Sequence, residues 1–191
     1  MWTGRILLLV LLLFACGGWF DTLLSKRKKI AMLCAIAVVF GLTLVPTVKT
    51  PTVRLCFAPC AFVLCTAALC PTKHPFGAAF AAMLGGFLGW KLCDVLPLFF
   101  EQGLLIAAPT LILCVLVCRD ANAKALAIAA APFVMLFLQM IGDYVLFKSA
   151  VLELGTGDAL CAQSAGLLAL FAAGTILDRL STVHRRLRAL A

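Results

Sequence analysis

The stretch FGAAFAAMLGGFLGWKLCDVLPLFF, residues 76–100, decides how the rest of the chain is read. Its first half places Gly77, Ala81, Gly85 and Gly89 at every fourth position. That spacing keeps the four on one helix face, where small residues let backbones approach closely within lipid. Its second half is still apolar yet embeds Lys91 and Asp94. Charge in such a segment is costly and asks for a partner.

The composition extends this reading to the whole chain. Of 191 residues, 64% are hydrophobic and 13% charged, against ~45–50% and ~25% in average soluble domains. The mean hydropathy is +1.14. Continuous apolar runs of this kind suit helices, whereas a membrane β-barrel would alternate apolar and polar positions. The expected fold is therefore all-α, a polytopic helical bundle in a membrane, with residues 1–178 as one transmembrane domain and 179–191 as a basic tail.

Sixteen basic residues against eight acidic give a net charge of +8. In a soluble protein that excess would suggest nucleic acid. Here the bases gather in short loops and at the C-terminus, the pattern by which membrane proteins encode orientation, so no nucleic-acid partner is expected. The ten cysteines lie mostly within apolar runs and include no C-x-x-C pair. With only two histidines, the spacing of a zinc site is absent, and the cysteines read as small hydrophobes. No metal and no cofactor are expected.

Seven spans follow from the apolar runs and the prolines between them. Residues 4–20 make the first, retained rather than cleaved as a signal peptide, because Phe14 suits a cleavage site poorly. The basic run Lys26, Arg27, Lys28 and Lys29 follows as a loop. The next spans are 30–45, 55–70, 76–95, 104–118, 125–146 and 159–177, with PTVKTPTVR, PTKHP, EQG, RDANAK and KSAVLELGTGD among the connections. Several hold only ~15–17 apolar residues, at the short end for a crossing, and six is the count if two of them merge.

Placing Lys26–Lys29 in the cytoplasm makes the charges consistent. Lys73, Arg119, Lys124, Arg179, Arg185, Arg186 and Arg188 then fall on the same side, and Arg5, Lys49, Arg54, Lys91 and Lys148 on the other. The N-terminus is outside, the C-terminus inside, and the expected location is the cytoplasmic membrane of a bacterium. In the tail, Leu180, Val183, Leu187 and Leu190 recur among Arg179, Arg185, Arg186 and Arg188. That spacing describes a basic amphipathic helix on the anionic lipids of the inner leaflet.

Phosphate-binding, zinc-protease and serine-hydrolase motifs are absent, so no enzymatic activity is expected. The unexplained polar groups do share a depth. Counted at ~1.5 Å per residue from the ends of their spans, Lys91, Asp94, Gln139, Asp143 and Gln163 all fall in the outer third of a ~30 Å core. They form a candidate polar cluster, weighed against snorkelling and a purely structural ion pair. Cys93 and Cys161, also at outer ends, are candidates for a disulfide. The stripe Gly77, Ala81, Gly85 and Gly89 reads as helix packing, within one bundle or against a homodimer mate or another membrane subunit.

Two function classes follow. One is a non-enzymatic accessory or assembly protein whose product is an interaction. The other is a transport component binding a small polar solute or ion in the outer cluster. For the second, residues 76–96, closing with Asp94 and Pro97, resemble the membrane-embedded substrate-binding subunits of energy-coupling-factor vitamin transporters. The resemblance implies six helices and an enclosed outer pocket, and transfers no binding residue.

Overall fold

A computed structural model describes residues 2–17, 25–50, 53–96, 102–147 and 152–190. The described residues are 84% helical, in seven helices. In order they are α1 (Trp2–Cys16), α2 (Lys26–Leu42), α3 (Phe57–Leu69), α4 (Pro75–Val95), α5 (Gln102–Val117), α6 (Ala121–Phe147) and α7 (Gly157–Leu190). Pro75–Val95, Ala121–Leu146 and Gly157–Thr182 are long and apolar enough to cross a membrane. Trp2–Cys16, Phe57–Leu69 and Gln102–Val117 are apolar but shorter. At ~1.5 Å per residue the shortest, α3, rises only ~20 Å.

The prolines mark the boundaries for distinct reasons. Pro75 opens α4 at its first position and Pro59 sits in the first turn of α3, where a missing N–H costs no helical bond. Pro109 and Pro132 lie inside α5 and α6, both buried. Pro97, expected to end the fourth span, lies outside the described residues, as do Gly18–Phe20, Glu101 and Lys148.

Three features depart from the expected element boundaries. The connection after α2 is a small sheet, with β1 (Val48–Lys49) antiparallel to β2 (Val53–Leu55) and β2 parallel to β3 (Leu152–Leu154). Its central strand is thus shared by segments about a hundred residues apart. The β-branched content of TVKTPTVR favours extended backbone, which the proline breaks masked. Second, the basic run is not a loop: Lys26 through Lys29 form the first turn of α2. Third, α7 continues through Leu190 without a break at 178, so the tail is helical as expected but is the end of α7. The side chains of Arg185, Arg186 and Arg188 lie outside the described residues.

The helices alternate in direction, as their close approaches show. A Cβ at Gly77 would meet Val117 O at 3.9 Å, one at Gly85 would meet Thr110 Oγ1 at 2.6 Å, and one at Gly89 would meet Ile106 Cα at 3.0 Å, so α4 and α5 run antiparallel. Gly86 faces Ala131 to Met135 and Trp90 faces Gly142, so α4 and α6 run parallel. Gly166 against Ile128 sets α7 antiparallel to α6.

α4 is therefore the axis of one half of the bundle, and its small residues form two seams. Gly77, Gly85 and Gly89 face α5, and buried Ala81 shares their helix face; Gly86, one residue round the helix from Gly85, packs on α6, and Ala78 and Ala82 on its side of α4 are buried. Lipid supplies no hydrophobic drive between helices, so such close contact is where dispersion is gained. The outward faces are the reverse. Leu13, Val38, Leu64, Met83, Ile112, Phe137 and Ile176, one from each helix, are all more than half exposed, as expected where the solvent is apolar.

Candidate functional site

Four of the five residues that sequence depth brought together, Lys91, Asp94, Gln139 and Asp143, are gathered at the end of the bundle where α4 and α6 finish. Lys91 Nζ lies 3.7 Å from Asp94 Oδ2, an i,i+3 pair with both side chains about half exposed. The same ammonium stands 3.8 Å from the centroid of the Trp90 ring, within the range of a cation–π contact. Trp90 is held in turn by Phe87, edge to face at 6.2 Å.

Beside this pair a cleft of about 240 Å³ opens between α4, α5 and α6. Asp94, Gln102, Gln139 and Asp143 supply its polar border, and Trp90, Met135 and Gly142 its walls. Gly142 matters to the shape: a Cβ there would stand 3.5 Å from the Trp90 ring. A second recess of about 100 Å³ shares Gln102, Met135 and Gln139 and adds Thr156 and Asp158. Asp94 and Asp143 thus border the cleft and Asp158 the neighbouring recess, with Lys91 paired to Asp94.

Gln163 does not join them. It is fully buried, its Nε2 donating to Ala129 O at 2.8 Å and to Pro59 O at 3.3 Å, so it ties α7 to α6 and α3. Its Oε1 is buried without a hydrogen-bond partner. The depth count misplaced it by treating all helices as starting level. In the structure the first turn of α7 lies beside Pro132 and Met135, midway along α6, and the rest of α6 rises past it.

Gln102, Thr156 and Asp158 were missed in the sequence. Gln102 looked like part of a turn, but it opens α5. Asp158 lies in the first turn of α7, the favoured place for an acid at a helix N-terminus. Gly155, with φ +85°, turns the chain into that helix, and Thr156 Oγ1 accepts the Ala159 N–H at 3.1 Å as its cap.

Other expectations resolve simply. None of the ten cysteines is in a disulfide, so Cys93 and Cys161 are not bridged. Cys93 Sγ lies 3.9 Å from Gln102 O, and Cys161 packs against Gly103. Among the described residues no three potential metal ligands come together. Arg5, a residue of the same end, donates to Thr43 O and stacks on Trp2 at 5.6 Å, pinning α1 to the last turn of α2. At the opposite end His74 has an acidic neighbour that the sequence did not reveal, Asp120 at 3.9 Å.

The fold and cleft define a helical bundle with three helices able to cross a membrane and an acid-bordered recess at one end. No family model, no curated protein and no solved structure matches the chain.

Proposed function

We propose that this chain is a multi-pass protein of a bacterial cytoplasmic membrane, N-terminus outside and C-terminus inside, that binds a small, positively charged polar solute as part of a transport system. It performs no enzymatic step. The observation that supports this reading is the cleft bordered by Asp94 and Asp143 and the adjoining recess bordered by Asp158, with Gln102, Gln139 and Thr156 as neutral hydrogen-bonding groups. Lys91 illustrates what such a place attracts, since its ammonium lies between a carboxylate and the Trp90 face. A solute amine would find the same kinds of partner in the cleft. The orientation rests on the basic residues at the opposite end, and the four shorter helices cross with help from flanking residues and local thinning.

The accessory or assembly reading has one observation in its favour. α2 packs chiefly on α1 and α3, leaving Ile30 and Val38 exposed for a partner subunit or a second copy.

The experiment is a thermal-stability screen of the protein in lipid nanodiscs against metal cations, small amines, and neutral and anionic solutes. A cation present at a hundred times its Kd stabilises the folded state by about 2.7 kcal/mol. The expected result is a rise in Tm confined to one cationic class and lost in Asp143→Asn, with the unliganded Tm unchanged because Asp143 is exposed. If no cation distinguishes the wild type from Asp143→Asn and Asp94→Asn, solute binding at the cleft is refuted and the accessory role takes its place.

A further inference from the structure

At the other end of the bundle, two adjoining recesses of about 50 and 90 Å³ share Met32, Thr66, Leu69, Leu167 and Phe171. Together they form one groove between α2, α3 and α7. Its lining is apolar, and its one deep hydroxyl, Thr66 Oγ1, is already donated to Phe62 O at 2.7 Å. The groove reaches from Val39 to Lys28, which stands at its mouth with Asn122. Eleven helical residues separate those two ends, a rise of ~16 Å, or about half of a ~30 Å hydrocarbon core. That is the reach of one acyl chain in one leaflet.

The mouth sets the headgroup. Lys26, Arg27 and Lys29 surround Lys28 in the first turn of α2, where the helix dipole is also positive. Lys124 lies on α6, two residues beyond Asn122. The described acids on that side are Asp120, which faces His74, and Asp178, farther along α7. A zwitterionic headgroup would bring its own cation against this cluster, whereas an anionic one would not. Recesses of this size are too narrow for a helix ~10–12 Å across, and free phosphate would leave the apolar length unused.

We infer that this groove is a binding site for an anionic phospholipid, with one acyl chain between α2, α3 and α7 and the phosphate held at Lys28. The site is separate from the acid-bordered cleft and from the C-terminal tail. The Asn122 side chain donates to Pro71 O at 2.8 Å, which fixes the α3–α4 turn beside the headgroup. Basic pockets between membrane helices recognise anionic lipids through this combination of charge and groove.

The test is native mass spectrometry of the full chain released from nanodiscs of equal phosphatidylglycerol and phosphatidylcholine. The expected result is one phosphatidylglycerol retained in preference to phosphatidylcholine. Lys28→Gln weakens that preference about fivefold, the worth of one basic residue near a membrane surface. Ala35→Phe, which fills the deeper recess and leaves every charge in place, abolishes retention. Replacing Arg185, Arg186 and Arg188 together by Gln leaves retention intact. Equal retention of both lipids, undiminished retention in Ala35→Phe, or loss in the tail variant each overturns the assignment. Lys28 is exposed, so its variant reads binding even if the filled groove impairs folding.

Discussion

Replacing Gly86 by alanine gives a sharp test of how α4 is packed. A Cβ at that position would stand 2.6 Å from Ala131 O, 2.8 Å from Val134 Cβ and 3.1 Å from Met135 N. Two of those atoms are backbone, so no side-chain rotation relieves the clash, and α4 and α6 must separate. Overpacking of this kind costs ~1–3 kcal/mol, partly offset by the ~1 kcal/mol that alanine gains over glycine in a helix. The net loss is ~0–2 kcal/mol. Gly77 on the same helix meets nothing closer than 3.9 Å, so Gly77→Ala keeps the propensity gain alone. The two variants then differ by the overpacking cost alone, ~1–3 kcal/mol, or about 2–12 °C in Tm at ~2–4 °C per kcal/mol for a chain of this size. Thermal denaturation in detergent micelles, followed by the loss of a monodisperse species, measures the difference. Coincident Tm values, or a Gly86→Ala variant melting above Gly77→Ala, would refute the seam between α4 and α6.

Gln163→Leu removes two hydrogen bonds but also the unpartnered Oε1, and is expected to cost ~1–2 kcal/mol, whereas Gln163→Glu sets oxygen against the Ala129 and Pro59 carbonyls and costs ~3 kcal/mol or more. The same melting assay ranks them, and equal losses would show that the amide does not bridge α7 to α6 and α3. Alkylation of the denatured chain without reductant is expected to modify all ten cysteines, seen as ten additions by intact mass. Eight additions, restored to ten by reductant, would reveal a disulfide.

The helix count was legible because proline and charge interrupt the apolar runs wherever the chain turns. The stripe on α4 was legible as a stripe, since periodicity alone places Gly77, Ala81, Gly85 and Gly89 on one face. The partner of that face was not legible, nor was the second seam through Gly86, because small residues adjacent on the helix read as a single glycine-rich run. The sheet stayed hidden for a different reason. Its parallel pair joins Val53–Leu55 to Leu152–Leu154, and a contact that distant leaves no local periodicity. The candidate site was half legible. Lys91, Asp94, Gln139 and Asp143 share a depth because α4 and α6 run parallel. Gln163 was misplaced because the vertical offset of α7 is a property of packing that no single segment encodes.

That offset bears on α7 itself. Thirty-four residues in one unbroken helix make a rod ~51 Å long, well beyond a ~30 Å hydrocarbon core. Its first turns are wedged between Gly4 and Gly103, whose missing side chains let α1 and α5 close on Cys161. Burial continues along α7 as far as Thr175, so packing holds the helix over its first nineteen residues. The last fifteen, ~22 Å of helix, carry the basic tip beyond that packed part.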